Sequence, residues 1–197
     1  MAAIQVDGRR LRREQNRDTV LSALVELFRE GHYDPSSNDI AERAGLSPRS
    51  LFRYFDDVDD LHRAAIERQQ AAARPLLDIG AAPTAPADEK IVRLVEARLA
   101  LYEAVAPAAR AARACAHRHP VVAEQLREGR AHLRSQVHRL FAPELDGRSE
   151  LLAVVDALCS FEAYYLMRID QGLSRPKTAL ALATALRALL APTGGPT

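Results

Sequence analysis

The segment of residues 35–55, PSSNDIAERAGLSPRSLFRYF, constrains the fold of this 197-residue chain more than any other stretch. Two short helices are predicted on either side of Gly45, because a residue without a Cβ readily adopts the left-handed conformation that ends a helix. Ser36 is placed to cap the first helix, with Asp39 completing an acidic version of the capping box. Ser47 is placed to cap the second helix, with Pro48 at its first position. The segment therefore predicts a helix-turn-helix.

The second helix of this motif has a basic outer face. Leu51 and Phe55 are predicted to pack against the first helix, whereas Arg49 and Arg53 are predicted to face outward. An arginine on such a helix can form two hydrogen bonds with one guanine in the major groove. A helix, a glycine turn and a second helix also occur in ordinary helical bundles, so the motif alone leaves both interpretations open.

Together with its flanks, the segment of residues 19–61 resembles the N-terminal domain of the TetR family of bacterial transcription regulators. The residues that carry the resemblance are Val20, Leu21, Leu24, Phe28, Gly31 and Tyr33, then IAERAGLS at 40–47, LFRYF at 51–55, and Asp57 to Leu61. The remaining chain resembles the family only in its all-helical layout. The resemblance implies a homodimeric regulator that binds double-stranded operator DNA and a small-molecule effector.

Two positions depart from the family pattern. Phe52 stands where the family usually has a tyrosine, and Val58 stands where it usually has a lysine, and both of those residues typically contact phosphate. A basic run ahead of the first helix can reach the DNA backbone or minor groove as a flexible arm; a solvated tail is the alternative. This run contains Arg9, Arg10, Arg12, Arg13 and Arg17. The predicted DNA-binding residues are Arg12, Arg13, Ser36, Asn38, Ser47, Pro48, Arg49, Ser50, Arg53 and Tyr54.

The composition is that of an ordinary folded protein, with 48% hydrophobic and 27% charged residues. No apolar run approaches the ~20 residues of a membrane span, and no apolar signal segment follows the first charges, so a cytoplasmic protein is expected. A net charge of +1 offers no global argument for nucleic acid, so DNA binding must depend on local basic residues. Cys115 and Cys159 lie in apolar helical patterns and are predicted to be free buried thiols, with a redox switch as the alternative.

Hydrophobic periodicity predicts helices throughout and no strand. The expected helices cover residues 16–30, a segment from Asp57 to about residue 73, 88–106, 108–117, a segment beginning at Pro120, 149–171 and 175–190, with a loop at 79–87. Arg98 falls inside an apolar stripe, where it needs a partner or an exit to water. The predicted fold is all-α, with a helix-turn-helix DNA-binding domain at residues 1–56 and a ligand-sensing and dimerisation domain at 57–197.

Apolar residues cover more than one face of the last two helices, so one face is available for a partner. These residues are Leu151, Leu152, Val155, Leu158, Phe161, Tyr165, Leu166 and Ile169 on the first helix, and Leu180, Leu182, Leu186, Leu189 and Leu190 on the second. A two-fold dimer through these helices would form a four-helix bundle, as the resemblance also implies; a larger monomer core is the alternative. A mix of polar and apolar groups in these helices suits a small-molecule pocket, and the predicted ligand-binding residues are the aromatic Tyr102, Phe161 and Tyr165.

No metal site, cofactor site or catalytic motif is predicted. Helical spacing places Cys115 and His119 on one face and turns His117 to the opposite side. The chain lacks a phosphate-binding glycine loop, G-x-S-x-G and H-E-x-x-H. The sequence therefore predicts a ligand-responsive repressor that binds a palindromic operator and is not an enzyme. A small-molecule-binding helical enzyme, or a helical protein that does not bind DNA, is the alternative.

Overall fold

The computed structural model describes the backbone of residues 2–191 and the side chains of residues 11–191. Within that part of the chain every regular element is helical and no β-strand occurs, which confirms the all-α class. The helices are α1 (Ala2–Arg29), α2 (Ser37–Arg43), α3 (Pro48–Leu51), α4 (Val58–Ala73), α5 (Ala87–Cys115), α6 (Pro120–Leu140), α7 (Ala142–Leu145), α8 (Ser149–Leu158), α9 (Phe161–Tyr165) and α10 (Arg175–Leu190). A 3₁₀ turn covers Arg74–Leu77 and a π-helical turn covers Leu166–Asp170.

The chain packs as two compact units. The first unit contains the chain up to Ala72 together with Val105–Arg127, and the second contains Ala73–Ala104 and the chain from Glu128 onward. Packing therefore places most of α4 and a later segment in the same unit as the helix-turn-helix. The functional boundary after residue 56 stays a prediction.

The core of the first unit is built on the apolar face of α1. Five buried residues of α1 form that face: Val20, Leu21, Leu24, Leu27 and Phe28. They pack with buried residues of α2, α3 and α4 and with Phe55, which follows α3; the helical residues are Ile40, Ala41, Leu51, Leu61 and Ala64. Ala111 of α5, which is fully buried, completes the same core. Removal of these side chains from water holds the short helices α2 and α3 in place, since helices of this length are marginal alone.

The first helix begins earlier than residue 16. Residues 2–15 continue α1, so Arg12, Arg13 and Arg17 lie on a helix and not on a flexible arm. The composition of this stretch explains the difference, because glutamine, arginine, leucine and glutamate all favour helix. The predicted contacts of Arg9 and Arg10 lie outside the side chains that the structure describes.

Pro107 lies inside α5, although the sequence predicted that a helix would end there. A proline in a helix interior removes one backbone hydrogen bond and costs ~3 kcal/mol in an exposed helix. Here the following turns are rich in alanine, and both Ala111 and Cys115 are buried. Packing of these turns offsets the local cost, so the helix continues through the proline.

The predicted helix of residues 149–171 is interrupted. α8 ends at Leu158, and Ser160 caps α9, where its Oγ accepts a hydrogen bond from the Ala163 amide (3.2 Å). A serine side chain competes for backbone hydrogen bonds and so favours helix starts over helix interiors. The sequence pattern missed this break because apolar residues continue on both sides of it.

The leucines of the last helix, α10, differ in burial. Leu182, Leu186 and Leu190 are buried in the second unit, whereas Leu180 is 65% exposed. Leu186 therefore belongs to the core of the protomer and not to a surface that could meet a partner. Sequence periodicity could not make this distinction because α10 is apolar on more than one side.

Both cysteines are buried free thiols, as predicted. Burial raises the pKa of Cys159 to about 12. No helix within the described residues is long and apolar enough to cross a membrane.

A histidine pair lies in the first unit. The ring centroids of His62 and His119 are 4.3 Å apart, and His119 Nδ1 lies 3.3 Å from the Asp59 carboxylate. Asp34 also lies close to His119 and forms an ion pair with Arg118. Burial lowers the pKa of His62, and the charge of His119 acts in the same direction, while that of Asp59 opposes them.

We expect the first unit to lose stability as the pH falls below about 6.5, where an unfolded histidine takes up a proton. The lowered pKa of His62 means that the folded unit takes up this proton only at a lower pH, so protonation favours the unfolded chain. A His62→Phe variant keeps an aromatic ring and should show a smaller fall in Tm between pH 7.5 and 5.5. The exposed His132, replaced in the same way, is the control. Equal pH dependence of the unsubstituted chain and His62→Phe would contradict this prediction.

Candidate nucleic-acid interface

The first helix of the motif, α2, is closed at its N-terminus by a capping box, as predicted. The Ser36 Oγ accepts from the Asp39 amide (3.2 Å), and the Asp39 carboxylate accepts from the Ser36 amide (2.8 Å). The Ser36 hydroxyl also donates to Asp39 Oδ2 at 2.7 Å. These hydrogen bonds, first that of the hydroxyl and then that of the amide, lower the pKa of Asp39.

The turn between the two helices depends on Gly45, whose φ is +68°. Its amide donates to the Glu42 carbonyl (3.0 Å), and the Leu46 amide donates to the Ala41 carbonyl (2.8 Å). This is the Schellman arrangement, which satisfies the last carbonyls of a helix and needs a left-handed residue. Gly45 therefore turns the chain where the sequence predicted.

The second helix, α3, is capped by Ser47, whose Oγ accepts from the Ser50 amide at 3.2 Å. The hydroxyls of Ser47 and Ser50 lie 2.9 Å apart and share a hydrogen bond. Pro48 occupies the first position of the helix. Leu51 and Phe55 are buried, so the predicted inward face is confirmed, and the opposite face of α3 remains outside.

Four of the predicted DNA-binding residues are arginines on the outside of this unit. Two lie at the motif, Arg49 on α3 and Arg53 just after it, and two lie on α1, Arg12 and Arg13. All four side chains are exposed. Within the described part of the chain none of the four has an ion pair or a side-chain hydrogen bond. An unpaired guanidinium in water needs little reorganisation to bind a phosphate or a base edge.

Arg43, the remaining arginine of the motif, is engaged within the chain. Its two terminal nitrogens contact the two carboxylate oxygens of Glu30 at 2.8 and 2.5 Å, and Glu26 lies 3.7 Å away. The hydrogen bond to Arg43 lowers the pKa of Glu30. Arg43 therefore connects α2 to α1, a role that the sequence did not indicate because Glu30 is distant along the chain.

Tyr54 and Arg17 join the end of the motif to α1. Asn16 donates to the Tyr54 hydroxyl (2.8 Å), and Arg17 donates to the Tyr54 carbonyl (2.6 Å). The Arg17 guanidinium carbon also lies 4.4 Å from the centre of the Phe55 ring. Because the Tyr54 hydroxyl accepts from Asn16, it is oriented to donate its own proton to another acceptor, such as a phosphate oxygen.

The remaining predicted residues lie at the rim of the motif. Ser36 and Asn38 are exposed at the start of α2. Phe52 is 43% and Val58 37% exposed, so this chain presents two apolar side chains where the TetR pattern has tyrosine and lysine. The DNA contacts of all these residues stay predictions.

The three predicted ligand-binding aromatics come together in the second unit. Phe161 lies 5.6 Å from Tyr102 and 6.1 Å from Tyr165, measured between ring centroids. Tyr164, which the sequence did not favour, joins them at 5.6 Å from Tyr102 and is buried. The Tyr102 hydroxyl donates to the Cys159 carbonyl (2.7 Å). We call these four residues the aromatic cluster, and its role in ligand binding stays a prediction.

Comparison with known proteins identifies the first unit's motif. Residues 20–65 match the family model of bacterial regulatory proteins, tetR family, which coincides with the segment that carried the resemblance. A crystal structure from Rhodococcus sp., assigned to the TetR-family transcriptional regulators, has a TM-score of 0.67 at 21% identity and covers 90% of this chain and 100% of that chain. A second, from Syntrophomonas wolfei and assigned likewise, has a TM-score of 0.61 at 13% identity, covering 91% and 97%. At these identities the likeness shows the fold. No curated protein matches the chain significantly.

Proposed function

We propose that this chain, a TetR-family transcription regulator with a DNA-binding helix-turn-helix domain, is a ligand-responsive homodimeric repressor. It would bind a palindromic operator in the bacterial cytoplasm, with DNA reading in residues 1–56 and sensing and dimerisation in residues 57–197. The observation that carries the DNA-binding mode is the exposed, unpaired state of Arg49 and Arg53 beside a capped and well-packed α3.

In this proposal α3 enters the major groove. Arg49 and Arg53 contact base edges, where an arginine pairs best with guanine O6 and N7. Tyr54, Arg12 and Arg13 contact phosphates, which position the helix and carry no sequence information themselves. The Asn16–Tyr54 and Arg17–Tyr54 hydrogen bonds support this division, because they hold the end of the motif at a defined place on α1.

Dimerisation is proposed through the outer face of α8 and α10, which pack against each other. Val154 on α8 is 47% exposed and Leu180 on α10 is 65% exposed. About one helical turn further along, Ala157 on α8 and Thr184 on α10 are exposed as well. Pairing of this face with its copy would form a four-helix bundle and remove these apolar groups from water. A dimer is required for two α3 helices to read half-sites ~34 to 36 Å apart.

Repression would be relieved by a small molecule at the aromatic cluster. A ligand shifts a conformational equilibrium only as far as it prefers one state, here a dimer whose α3 helices no longer match the operator spacing. A change of a few ångströms would suffice because the half-site spacing is fixed by the DNA. An enzymatic role has no comparable support among the described residues.

Replacing Arg49 by alanine tests the DNA-reading role. We expect a loss of about 1–3 kcal/mol on the preferred site and a relaxed preference at one base position, because one bidentate base contact is removed. Selection of bound sequences from random DNA, followed by gel-shift titration, measures both quantities. Arg139→Ala, at an exposed arginine outside the motif, is the control. Unchanged affinity and unchanged preference of Arg49→Ala would show that α3 does not read DNA.

Arg12→Ala should behave differently from Arg49→Ala. A phosphate contact contributes equally on every sequence, so affinity should fall by a similar factor on all DNA. The dependence of log K on log salt should also become shallower by ~1. A sequence-dependent loss would instead place Arg12 at a base edge.

A further inference from the structure

Arg98 on α5 is enclosed by the second unit. Its side chain is 2% exposed, so the exit to water that the sequence left open does not exist. Few arginines are fully buried, because removing a guanidinium from water is costly unless an anion compensates it. The partners of Arg98 therefore decide how its charge is compensated.

The two hydrogen bonds of Arg98 go to neutral acceptors. Nη1 donates to the Gln136 side-chain oxygen (3.0 Å), and Nη2 donates to the Leu133 carbonyl (3.1 Å). The Nε atom is buried and has no hydrogen-bond partner. Among the residues that the structure describes, no carboxylate forms an ion pair with Arg98.

Lys90, on the same helix and in the same unit, is a buried cation with a structural role. It is 1% exposed, its Nζ lies 2.6 Å from a carboxylate oxygen of Glu144, and it also donates to the Pro83 carbonyl. Lys90 is thus fully compensated, whereas Arg98 has neither a carboxylate nor a partner for its Nε among the described residues. An uncompensated buried charge lowers stability, so Arg98 is a candidate for binding an anion.

Arg98 lies on the same helix as Tyr102, a member of the aromatic cluster. Tyr102 follows it by four residues on α5, which places the two side chains on one helix face. Burial raises the pKa of Cys159; the charge of Arg98 acts to lower it and that of Asp156 to raise it. The Cys159 carbonyl accepts from the Tyr102 hydroxyl. One charged donor and several aromatic rings are the elements of a site for an organic anion.

We propose that Arg98 binds the carboxylate of a small amphipathic molecule whose apolar or aromatic body packs against Tyr102, Phe161 and Tyr164. This rests on the ligand-responsive function proposed above and names the chemical class of its effector. A planar carboxylate fits the Nε–Nη2 edge of a guanidinium with two parallel hydrogen bonds. Phosphate is less suited, because its charge is larger than the single guanidinium of Arg98 balances.

Gln136 is a positioning residue in this arrangement. Its amide nitrogen donates to the Leu77 carbonyl at 3.0 Å, so its oxygen must face Arg98. The guanidinium is thereby held from the Nη1 side, and the Nε edge is left for an anion. This geometry exists before any ligand is present, which lowers the ordering cost of binding.

The test uses a panel of carboxylates and their primary amides on the full chain: octanoate, decanoate, benzoate, phenylpropanoate and cinnamate. We expect at least one acid, and not its amide, to raise the Tm, because only the acid supplies the missing anion. In Arg98→Met the Tm increase should vanish, and the Kd of that acid by calorimetry should weaken by at least about tenfold. If no acid in the panel raises the Tm more than its amide, the proposal is wrong.

Two further variants separate binding from folding. Arg130→Met, at an exposed arginine on α6 that pairs with Glu162, should respond to the acid like the unsubstituted chain. Arg98→Lys keeps the charge and should retain part of the binding. Without ligand, the Tm of Arg98→Met should equal or exceed that of the unsubstituted chain; a clearly lower Tm with acid binding intact would assign Arg98 a structural role. If both Arg98 variants fail to fold, the comparison of acids with amides on the unsubstituted chain decides.

Gel shifts with operator DNA distinguish failure of this site from failure of the proposed function. An acid that binds through Arg98 should weaken operator binding, and operator should weaken acid binding by the same factor. Binding of the acid with no change in operator affinity would support the anion site and contradict ligand-responsive repression. If a neutral compound released DNA equally from the unsubstituted chain and from Arg98→Met, that result would support ligand-responsive regulation and contradict the anion site.

Discussion

A Leu186→Glu variant is expected to lose the cooperative unfolding transition of the second unit. Leu186 is fully buried on α10, so the substitution places a carboxylate among apolar side chains. The cost is several kcal/mol for the buried polar group, and a further ~1.5 to 3 kcal/mol of apolar burial is lost. A domain has only about 5–15 kcal/mol of stability in total, so most of it should be removed.

Urea denaturation followed by circular dichroism measures this effect. Leu186→Met conserves volume and polarity and should cost less than about 1.5 kcal/mol, which makes it the matched control. A Leu186→Glu protein with the urea midpoint of the unsubstituted chain would show that Leu186 is not part of the protomer core. Loss of a dimer with full retention of protomer stability would instead return Leu186 to an interface.

Leu180→Glu should have the opposite phenotype, a stable protomer that no longer dimerises. Leu180 is 65% exposed on the same helix, so a charge there costs the protomer little. In the proposed dimer the same position meets its copy, where two carboxylates would be brought together without partners. The chain should sediment as a monomer, and affinity for a palindromic operator should fall by orders of magnitude, because one half-site supplies too few contacts.

The control is Val92→Glu, which places the same charge at a 42% exposed apolar position on α5. It should leave sedimentation, thermal stability and operator affinity close to those of the unsubstituted chain. A Leu180→Glu chain that sediments as a dimer would exclude this face as the interface. A monomer that still binds the operator with full affinity would exclude the dimer as the DNA-binding form.

The helix-turn-helix was predictable because its determinants are local. The Ser36–Asp39 capping box, the left-handed Gly45 and the Ser47–Pro48 helix start each depend on residues within four positions of one another. Their preferences act on the backbone before any tertiary contact forms. The apolar spacing of α1 was equally informative, since one face of a single helix needs only one partner to bury it.

The candidate sites were predictable only in part. Exposure of Arg49 and Arg53 follows from the inward direction of Leu51 and Phe55, four residues apart on and just after α3. The contacts of Arg43 with Glu30 and of Arg17 with Tyr54 could not be predicted in this way, because these partners are separated by 13 and 37 positions in the chain. Likewise Tyr102 and Phe161 could be named from their type, but the place of Tyr164 beside both of them required the packing of α5 against the segment around α9.

The sequence by itself determined that the chain is helical, where its DNA-binding motif begins and ends, and which residue types face outward from that motif. Those properties arise from caps, turns and periodicity, whose free energies depend on neighbours within about one helical turn. Only the tertiary structure decided that α5 continues through Pro107 and that Leu186 is core while Leu180 is surface. It also decided that Arg98 is buried with no ion pair to any residue that the structure describes. In each case the deciding quantity is removal from water by side chains far away in the sequence, and no local pattern carries that information.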